Sequence, residues 1–151
     1  MSRMYTAEDI TGATRRLDIA RTSLMVAFSR AVGISVSEMI ALEHIGSSGG
    51  LGPSELARRL QMTTGAVTAL VDRLEASGYV TRAAHPSDRR RIVISRTQKA
   101  DDDITEEVAP MVMETLELAE SFADAERQAV GRFLEGFIDI IEQTAAEACE
   151  R

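Results

Sequence analysis

Three consecutive arginines follow an aspartate in the run Asp88-Arg89-Arg90-Arg91, which is the most chemically distinctive feature of this chain. Guanidinium groups are permanently charged and donate hydrogen bonds in a planar fork, so they suit phosphate oxygens and the negative potential of a narrow minor groove. Two strand-like segments, 79–84 and 91–95, lie on either side of turn-forming residues 84–88 and predict one hairpin. A basic hairpin of this kind predicts the wing of a DNA-binding domain.

Two short helical patterns precede the hairpin and are joined by a tight connection. The first covers Pro53–Leu60, and the second runs from its predicted N-cap, Thr63, to Ser77. Two helices in this arrangement are the layout of a helix-turn-helix, whose second helix reads the major groove. With the hairpin after them, they predict a winged helix-turn-helix.

The charge of the chain is unevenly distributed. The net charge is -7 at pH 7, which by itself argues against binding to polyanionic nucleic acid. Residues 51–100, however, contain nine arginine and lysine residues against four acidic ones, a balance of +5 that leaves -12 for the remainder. Such a division suits a protein that presents one face to a duplex, although a solvated basic surface without a partner would have the same composition.

Several classes of protein are disfavoured by what the sequence lacks. No stretch approaches the roughly 20 consecutive apolar residues of a membrane span, and residues 1–5 lack the apolar region of a signal peptide, so we expect a cytoplasmic protein with no membrane partner. One cysteine, Cys149, and two histidines, His44 and His85, are too few for a Cys/His metal cluster, although an all-carboxylate site stays open. No nucleophile–base pair or glycine-rich phosphate loop is present, so we expect no enzymatic activity and no cofactor.

Four further helices are predicted from capping residues and from apolar residues that recur at helical spacing. They cover residues 6–31, 35–48, 98–122 and 124–149. Ser35 and Glu38 form a predicted capping box, Thr97 is the predicted cap of the fifth helix of the chain, and Pro110 is expected to kink that helix. The predicted fold class is therefore mainly α, with the small wing as its β component.

The first helix and the last two carry apolar stripes that the helix-turn-helix cannot cover. The helices within 35–97 close a small core of their own, so the stripes on 6–31 and 98–149 need another partner. They could pack on one another within one chain, or on the same helices of a second subunit. We favour the second alternative, because two-fold dimers match palindromic operators. The predicted organisation is a single domain over 1–151, with a reader at 35–97 between dimerisation helices.

Three segments resemble the multiple antibiotic resistance regulator (MarR) family of winged-helix transcription factors, and the helix order is similar over nearly the whole chain. The segments are Leu56-Ala57, Val67–Val80 and His85–Arg90. The family's wing signature is an Asp, any residue and an Arg, followed a few positions later by Leu-Thr. Asp88, Arg90 and Thr97 match it. Arg96 occupies the position of the usual leucine, and this departure concerns the packing at the start of the fifth helix, not the wing itself.

The resemblance assigns roles to the charged residues of the wing. It implies that Arg90 enters a minor groove from the wing tip and that Asp88 orients the wing. Arg89 and Arg91 belong with them to the predicted DNA-binding set. The alternative is that Asp88 only starts a turn and that the three arginines are solvated.

The resemblance also places the start of the fourth helix in the major groove. The residues concerned are Thr63, Thr64, Gly65 and Thr68. Thr63 could act as a cap as well as a DNA contact, or as a cap alone. Arg73 points outward from the same helix but lies late in it, so we expect a phosphate contact rather than base reading.

Members of this family commonly respond to small aromatic or phenolic molecules bound between the dimer helices and the reader. The residues expected near such a cleft are Met25, Phe28, Met39, His44 and Met111, with ordinary core packing as the stronger alternative for each. Cys149 is expected to be a spectator. The resemblance thus implies a homodimeric regulator, expected to repress by binding a pseudo-palindrome in double-stranded DNA and to release it when an effector binds. The alternative function is a winged-helix module for protein contacts, without an operator.

Overall fold

The computed structural model describes residues 4–85 and 88–149. Within them, the order of elements is α1 (Ala7–Val32), α2 (Val36–Ser47), α3 (Pro53–Leu60), α4 (Thr64–Ala76), β1 (Val80–His85), β2 (Asp88–Arg96), α5 (Gln98–Glu120) and α6 (Asp124–Cys149). The predicted helices are confirmed to within a few residues at each end. The mainly α fold with one small antiparallel sheet is confirmed as well.

Side chains at the predicted caps begin these helices by satisfying free backbone N–H groups. Thr6 and Ser35 each form a capping box with the acidic residue three positions later. Thr63 Oγ1 accepts a hydrogen bond from the Ala66 N–H at 3.2 Å and so begins α4. Gln61, the one non-glycine residue with positive φ in the described part of the chain, ends α3 at a φ of 52° and lets the chain turn sharply towards α4.

The described residues form two compact units, one up to Glu107 and one from Val108 onwards. The core of the first unit is assembled from α2, α3, α4, both strands and the first turn of α5. Its buried residues are Ala41, Leu42, Ile45, Leu51, Leu56, Ala57, Val67, Leu70, Val71, Leu74, Tyr79, Val80, Ile94 and Ala100. The inner face of α4 is apolar, because Val67, Leu70, Val71 and Leu74 are all among them. Close packing of this core decides which face of α4 remains outside.

The wing is an antiparallel hairpin of β1 and β2, and the pair closest to its tip is His85 with Asp88. The turn predicted over 84–88 is therefore too long. Both ends of that range are paired, and only residues 86 and 87, which lie outside the described residues, separate the strands. The prediction was wrong because turn propensity is a local preference, which pairing with a neighbouring strand outweighs.

A bulge of three residues interrupts the pairing of the two strands. Ala84 pairs with Ile92, whereas the next residue of β1 already pairs with Asp88. The segment Arg89–Arg91, which we call the wing bulge, therefore has no partner in β1. A bulge of this kind bends a strand, so the backbone of all three arginines lies where the hairpin departs from regular geometry.

The second unit consists of the rest of α5 and all of α6. Many of its large apolar side chains are exposed in the single chain, namely Met111, Val112, Met113, Leu116, Leu118, Phe122, Val130, Phe133, Leu134, Ile138, Ile140 and Ile141. In α6, the rings of Phe133 and Phe137 stack with their centroids 6.2 Å apart. Pro110 lies inside α5, where the kink stays a prediction. An exposed apolar surface of this extent is typical of an interface with another protein surface.

No single helix of the described residues is both long and apolar enough to cross a membrane. By length and composition alone, α1 and α2 pass that test only as a pair, bent by 97° at their junction.

Candidate nucleic-acid interface

The outward face of α4 is small and rich in hydroxyl groups. Thr64, Gly65 and Thr68 are exposed, and a Cβ atom built on Gly65 would meet nothing within 4 Å. The Thr68 hydroxyl donates to the Thr64 carbonyl oxygen at 2.8 Å, so it offers a methyl group and lone pairs outward. Thr63 is also exposed, and its hydroxyl oxygen accepts the capping bond of α4. This face can approach another surface closely but offers few hydrogen-bond donors.

Arg73 makes a contact with α2 that its position in the sequence does not reveal. Its side chain is 60% exposed, as an outward phosphate contact requires, but its Nε donates to Glu38 Oε1 in α2 at 2.7 Å. Burial raises the pKa of the Glu38 carboxyl, but hydrogen bonds from the Ser35 backbone and from Arg73 outweigh burial and leave that pKa below its ordinary value. Glu38 thus caps α2 and also ties it to α4. No spacing rule connects residues 35 positions apart, so no sequence signal could have shown this pair.

Asp88 acts on the backbone of the wing bulge. Its Oδ1 accepts a hydrogen bond from the Arg90 N–H, two residues along the chain, at 3.0 Å. Aspartate favours local turns of this kind, which hold the following backbone in one direction. Asp88, Arg90 and Arg91 are exposed, while the side chain of Arg89 lies outside the described part of the structure. The bond provides a physical route by which Asp88 can orient Arg90.

Most of the basic residues between 51 and 100 are neutralised by acidic neighbours. Ion pairs join Arg58 and Arg59 to Glu55, Arg73 to Glu38, Arg82 to Asp72 and Glu75, Arg96 to Asp101, and Lys99 to Asp103. Hydrogen bonds from Arg58 and Arg59 lower the pKa of Glu55 to about 2. Arg90 and Arg91 enter no ion pair with any other residue that the structure describes. The positive charge inferred from composition therefore remains available at Arg90 and Arg91 of the wing bulge.

Arg82 fastens the base of the wing to α4. From β1, its Nη2 contacts Asp72 Oδ1 at 2.6 Å, and its Nη1 contacts the Glu75 carboxylate. Burial lowers the pKa of the Arg82 guanidinium, but the two carboxylates outweigh burial and raise that pKa above its ordinary value. Asp72 is exposed on the outward face of α4, so this contact holds the wing beside that face.

The residues expected near an effector cleft lie in both units. Met25, Phe28 and His44 are half-buried and Met39 is buried in the first unit, whereas Met111 is 43% exposed in the second. A cavity of the first unit is lined by other residues, namely Ala31, Val32, Tyr79, Asp103, Glu106 and Glu107. Three carboxylates on its wall disfavour an anionic aromatic acid. Within residues 4–85 and 88–149, no three His, Cys, Asp or Glu side chains are placed to hold a metal ion.

Comparison with known sequences supports a regulatory function. A family model described as "MarR family" matches residues 32–91. The uncharacterized HTH-type transcriptional regulator YcgE of Bacillus subtilis is 30% identical over 129 residues, which cover 85% of this chain and 84% of that protein. The HTH-type transcriptional repressor MdtR of the same organism is 32% identical over 77 residues, covering 51% of this chain and 50% of MdtR.

Solved structures of other proteins share this fold. A mutant of MepR from a multidrug resistant clinical isolate of Staphylococcus aureus superposes with a TM-score of 0.70 at 16% identity, covering 92% of this chain and 99% of that one. Rv1404 from Mycobacterium tuberculosis gives a TM-score of 0.68 at 22% identity, covering 92% and 97%. Streptococcus pneumoniae FabT, solved in complex with DNA, gives 0.66 at 22% identity, covering 90% and 99%.

Proposed function

The chain belongs to the MarR family of winged helix-turn-helix regulators, and on that basis we propose that it is a homodimeric repressor that binds a pseudo-palindromic operator. As a family member it is a DNA-binding transcriptional regulator and not an enzyme. The proposal includes release of the operator by a small aromatic or phenolic effector and a cytoplasmic location. The candidate effector contacts are Met25, Phe28, Met39, His44 and Met111.

The wing bulge is the observation that carries this proposal. Arg90 and Arg91 are exposed and lack an acidic partner within the described residues, unlike the basic residues around them. Arg82 holds the hairpin that bears them against Asp72 on α4. An arginine in that position suits a narrow minor groove, while the adjacent helix occupies the major groove.

The outer face of α4 supports only moderate reading of bases. Before Arg73 it offers Thr64, Gly65, Thr68 and Ala69. None of these side chains makes the bidentate contacts that discriminate bases by about 1–3 kcal/mol each, but threonine methyl groups can touch thymine methyl groups. We therefore propose thymine-containing half-sites, with added selection for A·T-rich minor grooves under the wings.

Selection of random DNA duplexes by the purified protein tests this function. We expect enrichment of pseudo-palindromes with thymine in the half-sites and A·T-rich steps where the wings lie. The affinity for these duplexes should fall steeply as salt rises, because phosphate contacts release counterions. Enrichment of G·C-rich half-sites without an A·T preference would contradict the interpretation of α4. A protein that selects no duplex and shows no salt-dependent binding would favour the protein-contact alternative.

Replacing Arg73 by alanine should weaken binding to all duplexes alike, because a phosphate contact carries no sequence information. The slope of log affinity against log salt should become shallower by about one unit. The free energy of unfolding should also fall, since the mostly buried Glu38 carboxylate loses its partner. Salt titrations with two unrelated duplexes and a denaturant titration measure these effects.

Glu38→Gln is the matched control for Arg73→Ala. Glutamine can still take part in the capping box of α2 and leaves the Arg73 charge in place, but it removes the ion pair. Its stability should therefore fall while its salt slope stays that of the parent. An Arg73→Ala variant that keeps the parent's slope would show that Arg73 makes no phosphate contact.

A further inference from the structure

Arg96 joins the base of the wing to two other elements of the first unit. Its side chain is 27% exposed, and its Nη2 lies 2.8 Å from Asp101 Oδ1 in the first turn of α5. The same guanidinium lies against Gly46 of α2, where an added Cβ atom would overlap it. One side chain of β2 therefore contacts both α2 and α5, at the position where the family's wing signature has leucine.

At Gly46 the neighbouring Arg96 side chain, and not the backbone conformation, limits the space for a larger residue. It lies inside α2 and is not among the described glycines with positive φ. Glycine within a helix is less favourable than alanine by about 0.5–1 kcal/mol, so its presence here needs another reason. An added Cβ atom would require the Arg96 guanidinium, which is the end of a flexible side chain, to move away from its contact with Asp101.

Asp101 depends on Arg96 in turn. Its Oδ1 is shielded from solvent and has no hydrogen-bond partner among the described atoms apart from this ion pair. The Asp101 side chain as a whole is 42% exposed, so loss of the guanidinium would remove its ion pair but leave the carboxylate hydrated. The Arg96 guanidinium therefore contacts α5 through this carboxylate and α2 beside Gly46.

Backbone bonds alone leave the direction of the hairpin adjustable. Leu51 and Ile94 exchange two hydrogen bonds of 2.9 and 2.8 Å, which attach β2 to the loop after α2. A ribbon of two strands nevertheless twists more freely than a wider sheet. The Arg96 side chain contacts both α2 and α5 at the base of this ribbon, and these contacts restrict its twist.

We propose that Arg96 is a positioning residue of the wing: by joining β2 to α2 and α5, it sets the direction in which the wing bulge presents Arg90 to DNA. The inference rests on the proposed function, in which Arg90 contacts DNA. Arg96 acts only through the position of the wing and does not itself contact DNA.

A cycle of stability measurements tests the steric basis without DNA. Gly46→Ala should lower the midpoint of thermal unfolding in the parent, because the new methyl group displaces the Arg96 guanidinium from Asp101. In an Arg96→Leu background the same substitution should be neutral or raise the midpoint, since alanine favours a helix over glycine. An equal decrease in both backgrounds would overturn the inference.

A second cycle tests the effect on DNA binding with an A·T-rich operator duplex. Arg96→Leu and Asp101→Asn should each weaken binding by about fivefold, a typical size for coupled contacts. Arg90→Ala should then reduce affinity less in either background than in the parent, because Arg90 on a misdirected wing already contributes less to DNA binding. An equal cost of Arg90→Ala in all three proteins would overturn the inference.

Two further outcomes distinguish failure of the positioning role of Arg96 from failure of the proposed contact between Arg90 and DNA. If Asp101→Asn leaves affinity unchanged while Arg96→Leu lowers it, Arg96 contacts DNA directly and the positioning role is overturned. If Arg90→Ala has no effect in the parent, the proposed role of the wing fails, and the positioning role falls with it. Asp101→Asn keeps the size of the side chain, so it serves where Arg96→Leu fails to fold.

Discussion

Replacing Phe137 or Ile141 by glutamate should abolish operator binding although neither residue belongs to the reader. Ile141 is 46% exposed in the single chain, and Phe137 stacks on Phe133 along the apolar stripe of α6. We propose that α1, α5 and α6 form the dimer interface, and that these helices of a second subunit cover this stripe. A glutamate would then place an unpaired charge against apolar surface twice in each dimer. The resulting monomer would reach one half-site instead of two.

Sedimentation and a DNA titration on the same samples measure this effect. Ala146→Glu is the matched control, since it introduces the same residue at an exposed position of α6 beside the acidic residues Asp139 and Glu142. This control should remain dimeric and should bind as the parent does. A well-folded monomer of the parent at micromolar concentration would contradict the proposed dimer.

Replacing Arg90 by alanine should weaken operator binding by about 1–3 kcal/mol, with the larger loss on operators that are A·T-rich under the wings. The reason is that the Arg90 charge has no acidic partner within the described chain, so its full potential is available to a minor groove. Asp88→Ala should weaken binding nearly as much, because the Asp88 carboxylate holds the Arg90 N–H at 3.0 Å. Titrations with paired A·T-rich and G·C-rich duplexes measure both effects.

Arg132→Ala removes the same charge from an exposed position of α6 and should leave affinity close to that of the parent. Equal affinities of the Arg90 variant and the parent for a specific operator would remove the wing from the proposed mechanism. An Asp88 variant that binds like the parent would limit Asp88 to a role in the local turn.

The helices of this protein could be predicted because their signals are local. A cap such as Thr63 bonds an N–H only three residues away, and apolar periodicity is readable within one helix. The outer face of α4 follows from the same periodicity. The length of the hairpin turn was not predictable in this way, because the pairing of His85 with Asp88 depends on register between two strands.

The ion pairs between different elements could not be predicted, because they depend on how those elements pack, whereas the pairs within α3 and within α5 follow ordinary helical spacing. Arg82 and Arg90 are both arginines of the hairpin, yet Asp72 and Glu75 bind the first. Gly46 and Arg96 show the same dependence, since neither residue indicates the other by its position in the sequence.

By itself, the sequence determined where the helices begin and end, which of their faces are apolar, and that the positive charge lies between residues 51 and 100. Only the tertiary structure decided which of those charges remain available to a partner. The physical reason is that the packing of α2 and α4 and the course of the hairpin determine which carboxylates reach each guanidinium. That packing leaves the bulge arginines Arg90 and Arg91 without an acidic partner among the residues that the structure describes.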